Sequence, residues 1–271
     1  MTPLLDIYLS RIYWRDIVTA FPKATLASCK LLGAPGLYLA LCVYVLRRLP
    51  WPLHPHPHPL IRLTNWKEAA NYLDNFILCE LRLDAVESLL TQSAGEVIEV
   101  GVNVGITSRW WLTLNPAISV IGIDMMQEAL EYTTQRISEL GHQTRWQAVT
   151  GAVGDAEGRM TITFDDPLEG TNSVNQVGGQ QQREVEVNTL DAYLSLVTLK
   201  NPVLMKLDIE GHAAAALRGA SGVLARLRWV VVETHDPAEL AQSATLLTDA
   251  GFILRHFHGR TMWWAKREVS A

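Results

Sequence analysis

The chain has 271 residues, of which 48% are hydrophobic, and a formal net charge of -5 at pH 7. This length is sufficient to bury a substantial core, as one large α/β domain or as a domain with an extension. The acidic balance provides no electrostatic basis for binding nucleic acid, so no nucleic-acid partner is expected. Cys29, Cys42 and Cys79 are widely spaced and form no CxxC pair. They indicate reduced cysteines of an intracellular protein rather than a disulfide framework or a zinc site.

Residues 1–60 are predicted to form an apolar helical extension. The stretch from Leu31 to Leu46 has no charged residue, and two arginines follow it. It is shorter than the roughly 18 residues that a membrane-spanning helix needs, and Pro35 interrupts it. We interpret it as a helix buried against the main domain or against a second subunit of a homo-oligomer. Peripheral membrane contact through residues 31–48 stays an alternative, so the expected location is cytoplasmic, with membrane association left open.

A histidine-proline repeat follows this apolar stretch. His54 to Pro59 alternates the two residue types, which prevents both a helix and a central strand. The pattern predicts an extended, polyproline-like linker. A metal site through the three imidazoles is not favoured, because a stiff alternating segment does not bring them onto one ion. We therefore place the domain boundary here, with residues 61–271 as the main domain.

Beyond the linker, strand-like and helix-like patterns alternate. A helical pattern covers Asn65 to Leu90, with apolar residues recurring at intervals of three and four. Strands are predicted at "EVIEVG", "ISVIGID", "RWQAVTGAV", "PVLMKLDI", "RWVVVET", "FILRHF" and "TMWWAK", with helices between most of them. This alternation predicts an α/β fold with a Rossmann-like, doubly wound, mostly parallel sheet. In such sheets ligands bind at the carboxyl ends of the strands, where the strand order reverses.

Two signals indicate a nucleotide-type cofactor at that edge. In "EVGVNVG", Glu99 ends the first strand, and Gly101 and Gly105 allow a tight turn close to a ligand. Asp124 ends the second strand, about twenty residues after the glycines, where an acid commonly binds the hydroxyls of a ribose. The structural alternatives are a plain strand-to-helix turn and an aspartate that caps the next helix.

The spacing of the glycines in this turn indicates which cofactor is expected to bind. A dinucleotide fingerprint requires a middle glycine beside the pyrophosphate, whereas the sequence has Asn103 there. The acid at Glu99 would also repel phosphate. It suits a cationic ligand such as S-adenosylmethionine, whose sulfonium and amino group are positive. An NAD(P)-dependent oxidoreductase is therefore the weaker hypothesis.

The stretch "KLDIEGH" places charged residues where a buried strand should end. Strand alternation predicts that Lys206, Asp208 and Glu210 point to one side. Asp208 is the first candidate for a general base and Glu210 the second, since both lie at the predicted cofactor edge. The structural alternative is an ion-pair cluster that positions the turn.

"VVVETHDPAEL" presents a second group of candidates at the end of the next strand. Glu233 and His235 are predicted to share one face, and His235 is a third candidate base because histidine titrates near neutrality. Asp236, Pro237 and Glu239 have the pattern of a helix N-cap, first-turn proline and capping-box acid.

These side chains also raise the question of a metal. The residues that offer oxygen or nitrogen ligands are Asp208, Glu210, His212, Glu233 and His235. Nothing in their spacing defines a ligand set, so no metal site is assigned and metal use is left open.

Four motifs carry a resemblance to a known family. "VIEVGVNVGITS", "IGIDMMQEA", "VNTLDAYL" and "VLMKLDIEGHAAAALRGA" resemble the FkbM-type branch of the S-adenosylmethionine-dependent methyltransferases, over about residues 96–266. Glu99 stands where that family often has aspartate, Asp124 where glutamate followed by proline is common, and His212 where a small residue is usual.

The resemblance implies roles for individual residues. Glu99, Gly101, Asn103 and Gly105 would surround the methionine part of the cofactor, and Asp124 would hold the ribose. The segment "GAVGD", with Gly151, Ala152 and Asp155, would lie against the adenine. The implied activity is methyl transfer to oxygen on a small-molecule, sugar or lipid-linked acceptor.

Beside the methyltransferase and the oxidoreductase, a third hypothesis is a membrane- or partner-binding protein with a degenerate cofactor pocket.

One polar segment has a predicted role in substrate access. Asp165 to Arg183 is rich in glycine, asparagine and glutamine and lies between two strand-like segments. It is interpreted as a mobile surface loop that covers the substrate.

Overall fold

The computed structural model describes residues 21–32, 34–44, 63–77, 89–169, 172 and 179–267. The chain divides into two compact units, Met1–Leu83 and Asp84–Ala271. The domain boundary predicted after residue 60 and the histidine-proline repeat fall outside the described residues.

The first unit is helical. Its elements are α1 (Phe21–Leu32), α2 (Ala34–Tyr44) and α3 (Trp66–Tyr72), and α3 continues into a π-helical turn over Leu73–Ile77. The apolar stretch expected to form one helix is thus shared between α1 and α2, with Pro35 in the first turn of α2, where a missing N–H is tolerated. A side chain at Gly36 would meet the backbone of Ser28, so the two helices approach closely there. Of the helices in the described ranges, none has the length and apolar character to cross a bilayer.

The predicted helix from Asn65 begins as expected. The Asn65 side chain accepts a hydrogen bond from the backbone N–H of Glu68 at 3.0 Å, which caps α3. Most of the second half of that predicted helix, residues 78–88, lies outside the described part of the chain.

The second unit is built on a seven-stranded sheet. In chain order its strands are β1 (Gly95–Val100), β2 (Ile118–Asp124), β3 (Trp146–Thr150), β7 (Pro202–Leu207), β8 (Trp229–Glu233), β9 (Phe252–His258) and β10 (Thr261–Lys266). Their spatial order is β3-β2-β1-β7-β8-β10-β9. The first five strands in this spatial order, β3, β2, β1, β7 and β8, pair in parallel, and β10 pairs antiparallel with both of its neighbours. The predicted α/β fold with a mostly parallel sheet is confirmed.

A small second sheet accompanies the main one. It contains β4 (Ala152–Val153), β5 (Gly158–Phe164) and β6 (Gln181–Asn188) in the order β4-β6-β5. The prediction of one continuous strand through "RWQAVTGAV" is wrong, because the chain breaks at Gly151, which has φ +154°. β3 and β4 therefore belong to different sheets. Arg183, expected at the end of a loop, lies inside β6.

Helices cover the main sheet. They are α4 (Ile106–Leu114), α5 (Gln127–Glu139), α6 (Leu190–Ser195), α7 (Ala213–Arg218), α8 (Ser221–Arg226) and α9 (Pro237–Asp249). Apolar side chains of the central strands and of α6 through α9 form one buried cluster, which includes Ile98, Met205, Leu217 and Leu247. Full burial of such a side chain stabilises the fold by roughly 1.5–3 kcal/mol.

The strand order reverses at β1, which lies between β2 and β7. The carboxyl ends of β1, β2, β7 and β8 therefore meet at one edge of the sheet. This edge carries Glu99, Asp124, Asp208 and Glu233, and it is the position where ligands bind in open α/β sheets.

Candidate active site

The turn after β1 needs its glycines for steric reasons. Gly101 has φ +84°, and a Cβ there would lie 2.9 Å from the carbonyl carbon of Asp208 and 3.2 Å from Ile209 Cγ2. Gly105 has φ +66° and faces Thr133, whose Cβ would be 2.9 Å from an added side chain. Glycine adopts these left-handed conformations without penalty. The turn is thus packed against the end of β7 and against α5.

Asp124 holds this turn in place. Its Oδ2 accepts hydrogen bonds from the backbone N–H groups of Val102 and Asn103, both at 2.9 Å, and its Oδ1 accepts one from Met126 at 2.9 Å. Burial raises the pKa of Asp124, while these N–H donors and Lys206 act in the opposite direction. An ionised carboxylate offers about four acceptor positions. Binding of a ribose hydroxyl by Asp124 stays a prediction, for which Oδ1 retains capacity.

Asn103 lies in the same turn and carries a buried polar atom. It has a left-handed φ of +51°, which asparagine tolerates better than most residues. Its backbone oxygen accepts a hydrogen bond from Thr133 Oγ1 at 3.0 Å. Its side-chain Oδ1 is buried and accepts no hydrogen bond from the described residues. A buried acceptor of this kind fits a cofactor that supplies a donor, such as an ammonium or hydroxyl group.

Glu99 lies beneath the turn and is fully buried. The hydroxyls of Thr107 and Ser108, in the first turn of α4, both donate hydrogen bonds to its carboxylate. Lys206 Nζ lies 3.6 Å from Glu99 Oε1. Burial raises the pKa of Glu99, opposed by the Lys206 charge and the two hydroxyls. Direct contact between Glu99 and a cofactor stays a prediction.

Lys206 connects the two strand ends. Its Nζ lies 3.0 Å from Asp208 Oδ2 and donates to the backbone oxygen of Gly101 at 3.3 Å. Burial opposes the charge on Lys206, but the carboxylates of Asp208 and Glu99 outweigh it and raise the pKa of the ammonium. Lys206 and Asp208 therefore share one side, as strand alternation predicts, and the ion-pair cluster considered as the structural alternative is present.

Glu210 reaches the site by a different route. β7 ends at Leu207, and Glu210 has a left-handed φ of +47° before Gly211 at +88°. The prediction from strand alternation is therefore wrong for Glu210, because the residue lies beyond the strand. Its Oε2 lies 3.0 Å from His235 Nε2, so the turn brings two of the three predicted catalytic residues together.

His235 lies between several carboxylates. Its Nε2 is also 3.6 Å from Glu233 Oε1, and Arg260 contacts the same Glu233 oxygen at 3.2 Å. The contact with Glu210 raises the pKa of His235, against the effect of burial. Glu233 and His235 thus lie together at the end of β8, as predicted.

The start of α9 shows the expected cap and one additional function. Asp236 Oδ1 accepts from the N–H groups of Ala238 and Glu239, with Pro237 in the first turn. Glu239 accepts from the N–H of His235 at 2.7 Å and from the N–H of Ala213, at the start of α7, also at 2.7 Å. The predicted capping box is therefore not formed, because Glu239 accepts from the N–H of His235 and not from that of the N-cap Asp236. Glu239 instead joins α9 to the start of α7 and orients the backbone of His235.

The predicted adenine segment divides into buried and exposed residues. Gly151 faces Tyr193, whose Cε1 would be 3.1 Å from an added Cβ, and Ala152 is buried in β4. Asp155 is exposed and pairs with Arg218 at 3.0 Å. Gly151 also borders a cavity of about 530 Å³, together with Met125, Thr150 and Arg183. Adenine binding by Gly151, Ala152 and Asp155 stays a prediction.

Some residues of this edge were not identified from sequence. Thr107 and Ser108 donate hydrogen bonds to the carboxylate of Glu99, and the sequence signal for this contact is their position in the first helical turn after the glycines. Arg260 comes from the connection between β9 and β10, far along the chain, and no local pattern indicates its contact with Glu233.

One group of side chains has ligand atoms close enough to hold a metal ion. In the described residues, Asp208, Glu233 and His235 each offer one ligand atom, and these atoms lie within 4.8 Å of one another.

Comparison with solved structures finds similar methyltransferases. The chain is similar to a precorrin-6y C5,15-methyltransferase from Geobacter metallireducens (11% identity, 69% of this chain and 88% of that chain, TM-score 0.42). It is also similar to a putative RNA methyltransferase from Pyrococcus horikoshii (12% identity, 70% of this chain and 81% of that chain, TM-score 0.42). A third similar structure is Aeropyrum pernix fibrillarin with bound S-adenosylmethionine (10% identity, 67% of this chain and 74% of that chain, TM-score 0.41). These TM-scores are below 0.5, so family membership depends on other findings.

A comparison with curated proteins finds no match. The model of the methyltransferase FkbM domain, however, matches residues 99–260, which include the glycine turn, Asp124, Lys206 to Glu210 and the end of β8. The match covers more than half of the chain. The chain therefore belongs to the FkbM family of methyltransferases.

Proposed function

We propose that the protein transfers a methyl group from S-adenosylmethionine to a hydroxyl oxygen of a small-molecule, sugar or lipid-linked acceptor. The observation that carries the proposal is the glycine turn after β1, held by Asp124 and adjacent to the Asp208–Glu210–His235 group. The proposed cofactor turn and the candidate bases lie at one edge of the sheet, as the transfer of a group between two bound molecules requires.

The charge and shape of the turn support a cationic cofactor. Glu99 and Asp208 flank Gly101, and Lys206 is the cation between them. The buried Oδ1 of Asn103 needs a donor, which the amino group of S-adenosylmethionine would supply. A pyrophosphate would instead meet carboxylates and a side chain where dinucleotide sites have a glycine. An NAD(P)-dependent oxidoreductase is therefore the weaker alternative.

The reaction is a single displacement. The bond between sulfur and the methyl carbon breaks while a bond from that carbon to the acceptor oxygen forms, so the sulfonium becomes a neutral thioether. The hydroxyl proton passes to a base, and the products are a methyl ether and S-adenosylhomocysteine. Alignment of the two reactants supplies most of the rate enhancement, and a general base contributes further. Asp208 is the first candidate for that base, with Glu210 and His235 as the others.

Transfer of isotope-labelled methyl groups tests the proposal. The purified chain is incubated with methyl-labelled S-adenosylmethionine and separate pools of hydroxylated small molecules, oligosaccharides, lipid extracts and RNA. Label should enter one of the first three pools as a base-stable ether, and Asp208→Asn should reduce the rate by about 10²–10⁴-fold. Label in RNA, or on nitrogen or carbon, would overturn the proposed acceptor class.

A matched variant shows whether loss of rate is specific. Asp249 is an exposed acid at the last residue of α9, at the opposite end of that helix from His235, so Asp249→Asn removes a carboxylate away from the proposed bases. Its rate should equal that of the wild type. Equal losses in Asp249→Asn and Asp208→Asn would contradict a catalytic role for Asp208.

A further inference from the structure

We propose that Asp208, Glu233 and His235 form a binding site for one divalent cation of the Mg²⁺ or Mn²⁺ type. The inference deepens the proposed methyl transfer and depends on it for its functional meaning, since the ion would lie at the acceptor side of the site. The three residues come from the ends of two adjacent parallel strands, β7 and β8.

The distances are close to those of a coordinated ion. The three ligand atoms lie within 4.8 Å of one another. Two oxygens bound to Mg²⁺ at about 2.1 Å are separated by at most about 4.2 Å. Three ligands of one octahedral ion include at least two pairs that are only about 3 Å apart, so side-chain rotations that bring the ligand atoms closer by up to about 2 Å complete the site. Two carboxylates with one imidazole and water suit Mn²⁺, and the carboxylates suit Mg²⁺.

Carboxylates outnumber the lysine and arginine side chains at the proposed site. The carboxylates of Asp208, Glu210 and Glu233 lie around His235, whereas Lys206 and Arg260 are the cations that contact them. Lys206 contacts Asp208 through Oδ2, which leaves Oδ1 for an ion. Arg260 is more than half exposed, so it can move away from Glu233 when an ion binds.

His235 supplies the second, independent observation. Its Nδ1 is buried and makes no hydrogen bond with the residues that the structure describes, since the nearest carboxylate oxygen, on Glu239, is 3.9 Å away. Its Nε2 lies 3.0 Å from Glu210 Oε2. Coordination satisfies a buried imidazole nitrogen, and Glu239 already holds the backbone N–H of His235.

The ion assigns distinct functions to the predicted catalytic residues. A hydroxyl bound to a divalent cation loses its proton more easily than a free hydroxyl. Asp208 and His235 would then act as ligands, and Glu210 would be the carboxylate left to accept the proton. The bond changes of the methyl transfer are otherwise the same.

Mn²⁺ titration followed by electron paramagnetic resonance tests the site without measuring activity. The signal of free aqueous Mn²⁺ should decrease with one ion bound per full-length chain. Asp208→Asn, Glu233→Gln and His235→Gln should each weaken binding at least about tenfold, and Asp249→Asn should leave it unchanged. Arg260→Gln should tighten binding, because it removes the cation that competes for Glu233.

The outcomes distinguish this inference from the proposed function. Absence of Mn²⁺ binding, or binding that Glu233→Gln and His235→Gln leave unchanged, would overturn the metal site. Circular dichroism identifies any variant that fails to fold. In that case Arg260→Gln, which changes an exposed side chain, tests the site: tighter Mn²⁺ binding supports the metal site, and unchanged or weaker binding would contradict it. Calorimetric titration of the same samples with S-adenosylhomocysteine reports on the cofactor site separately, so either site can fail without the other.

Discussion

Gly101→Ala is the most informative perturbation of the proposed cofactor turn. Alanine at φ +84° costs about 1–2 kcal/mol because the left-handed conformation is unfavourable. Its Cβ would also be 2.9 Å from the carbonyl carbon of Asp208, and overpacking of this kind adds about 1–3 kcal/mol. The sum predicts a destabilisation of about 2–5 kcal/mol.

Gly141 provides a matched control. It has a similar φ of +79°, but an added Cβ would meet nothing within 4 Å. Gly141→Ala should therefore show only the conformational cost of about 1–2 kcal/mol. The difference between the two variants isolates the clash with the end of β7.

Guanidinium unfolding followed by circular dichroism measures both variants. Gly101→Ala should also weaken S-adenosylmethionine binding at least about tenfold, equivalent to about 1.4 kcal/mol, whereas Gly141→Ala should bind as the wild type does. Equal destabilisation by the two substitutions would refute the packing of Gly101 against Asp208.

Three further predictions concern charged groups. Lys206→Met leaves the buried Glu99 carboxylate without its cation and should destabilise the fold by about 3–5 kcal/mol. Adding Glu99→Gln should restore part of this stability, and a double variant no more stable than Lys206→Met alone would contradict the pairing. Glu239→Ala leaves two backbone N–H groups unpaired and should cost about 1–3 kcal/mol in a denaturant titration. Arg183 lowers the pKa of Glu128, so their ion pair should stabilise the fold by about 0.2–1 kcal/mol at a pH above the ordinary pKa range of glutamate. This stabilisation should be lost as the pH falls and Glu128 becomes protonated. Comparison with Glu128→Gln across pH checks this, and a difference that does not change with pH would count against it.

Much of the second unit follows from sequence because its signals are local. Alternating apolar strands and helices predict the parallel sheet, and acids at the ends of strands meet at one edge once that sheet exists. Asp124 and Asp208 are examples, since each directly follows a strand or ends it. The same rule places Glu233 beside His235.

Other features depend on backbone conformations or distant contacts. Strand alternation fails at Glu210, because a left-handed φ at a residue other than glycine leaves no periodic signal. The break that separates β3 from β4 is marked in the sequence only by Gly151, and a single glycine in a strand pattern does not distinguish a break from a bulge. Glu239 shows the second kind of failure, since its partner Ala213 is in another helix and only the folded chain brings them together.

The most direct measurement is calorimetric titration of the purified chain with S-adenosylmethionine, S-adenosylhomocysteine and NAD, repeated with Asn103→Gly. Glycine keeps the left-handed backbone of the turn and removes only the buried amide. We expect micromolar binding of the first two ligands, weaker binding in the variant, and none of NAD. A folded protein that binds NAD, or that binds neither S-adenosyl compound, would contradict the methyltransferase assignment of this site.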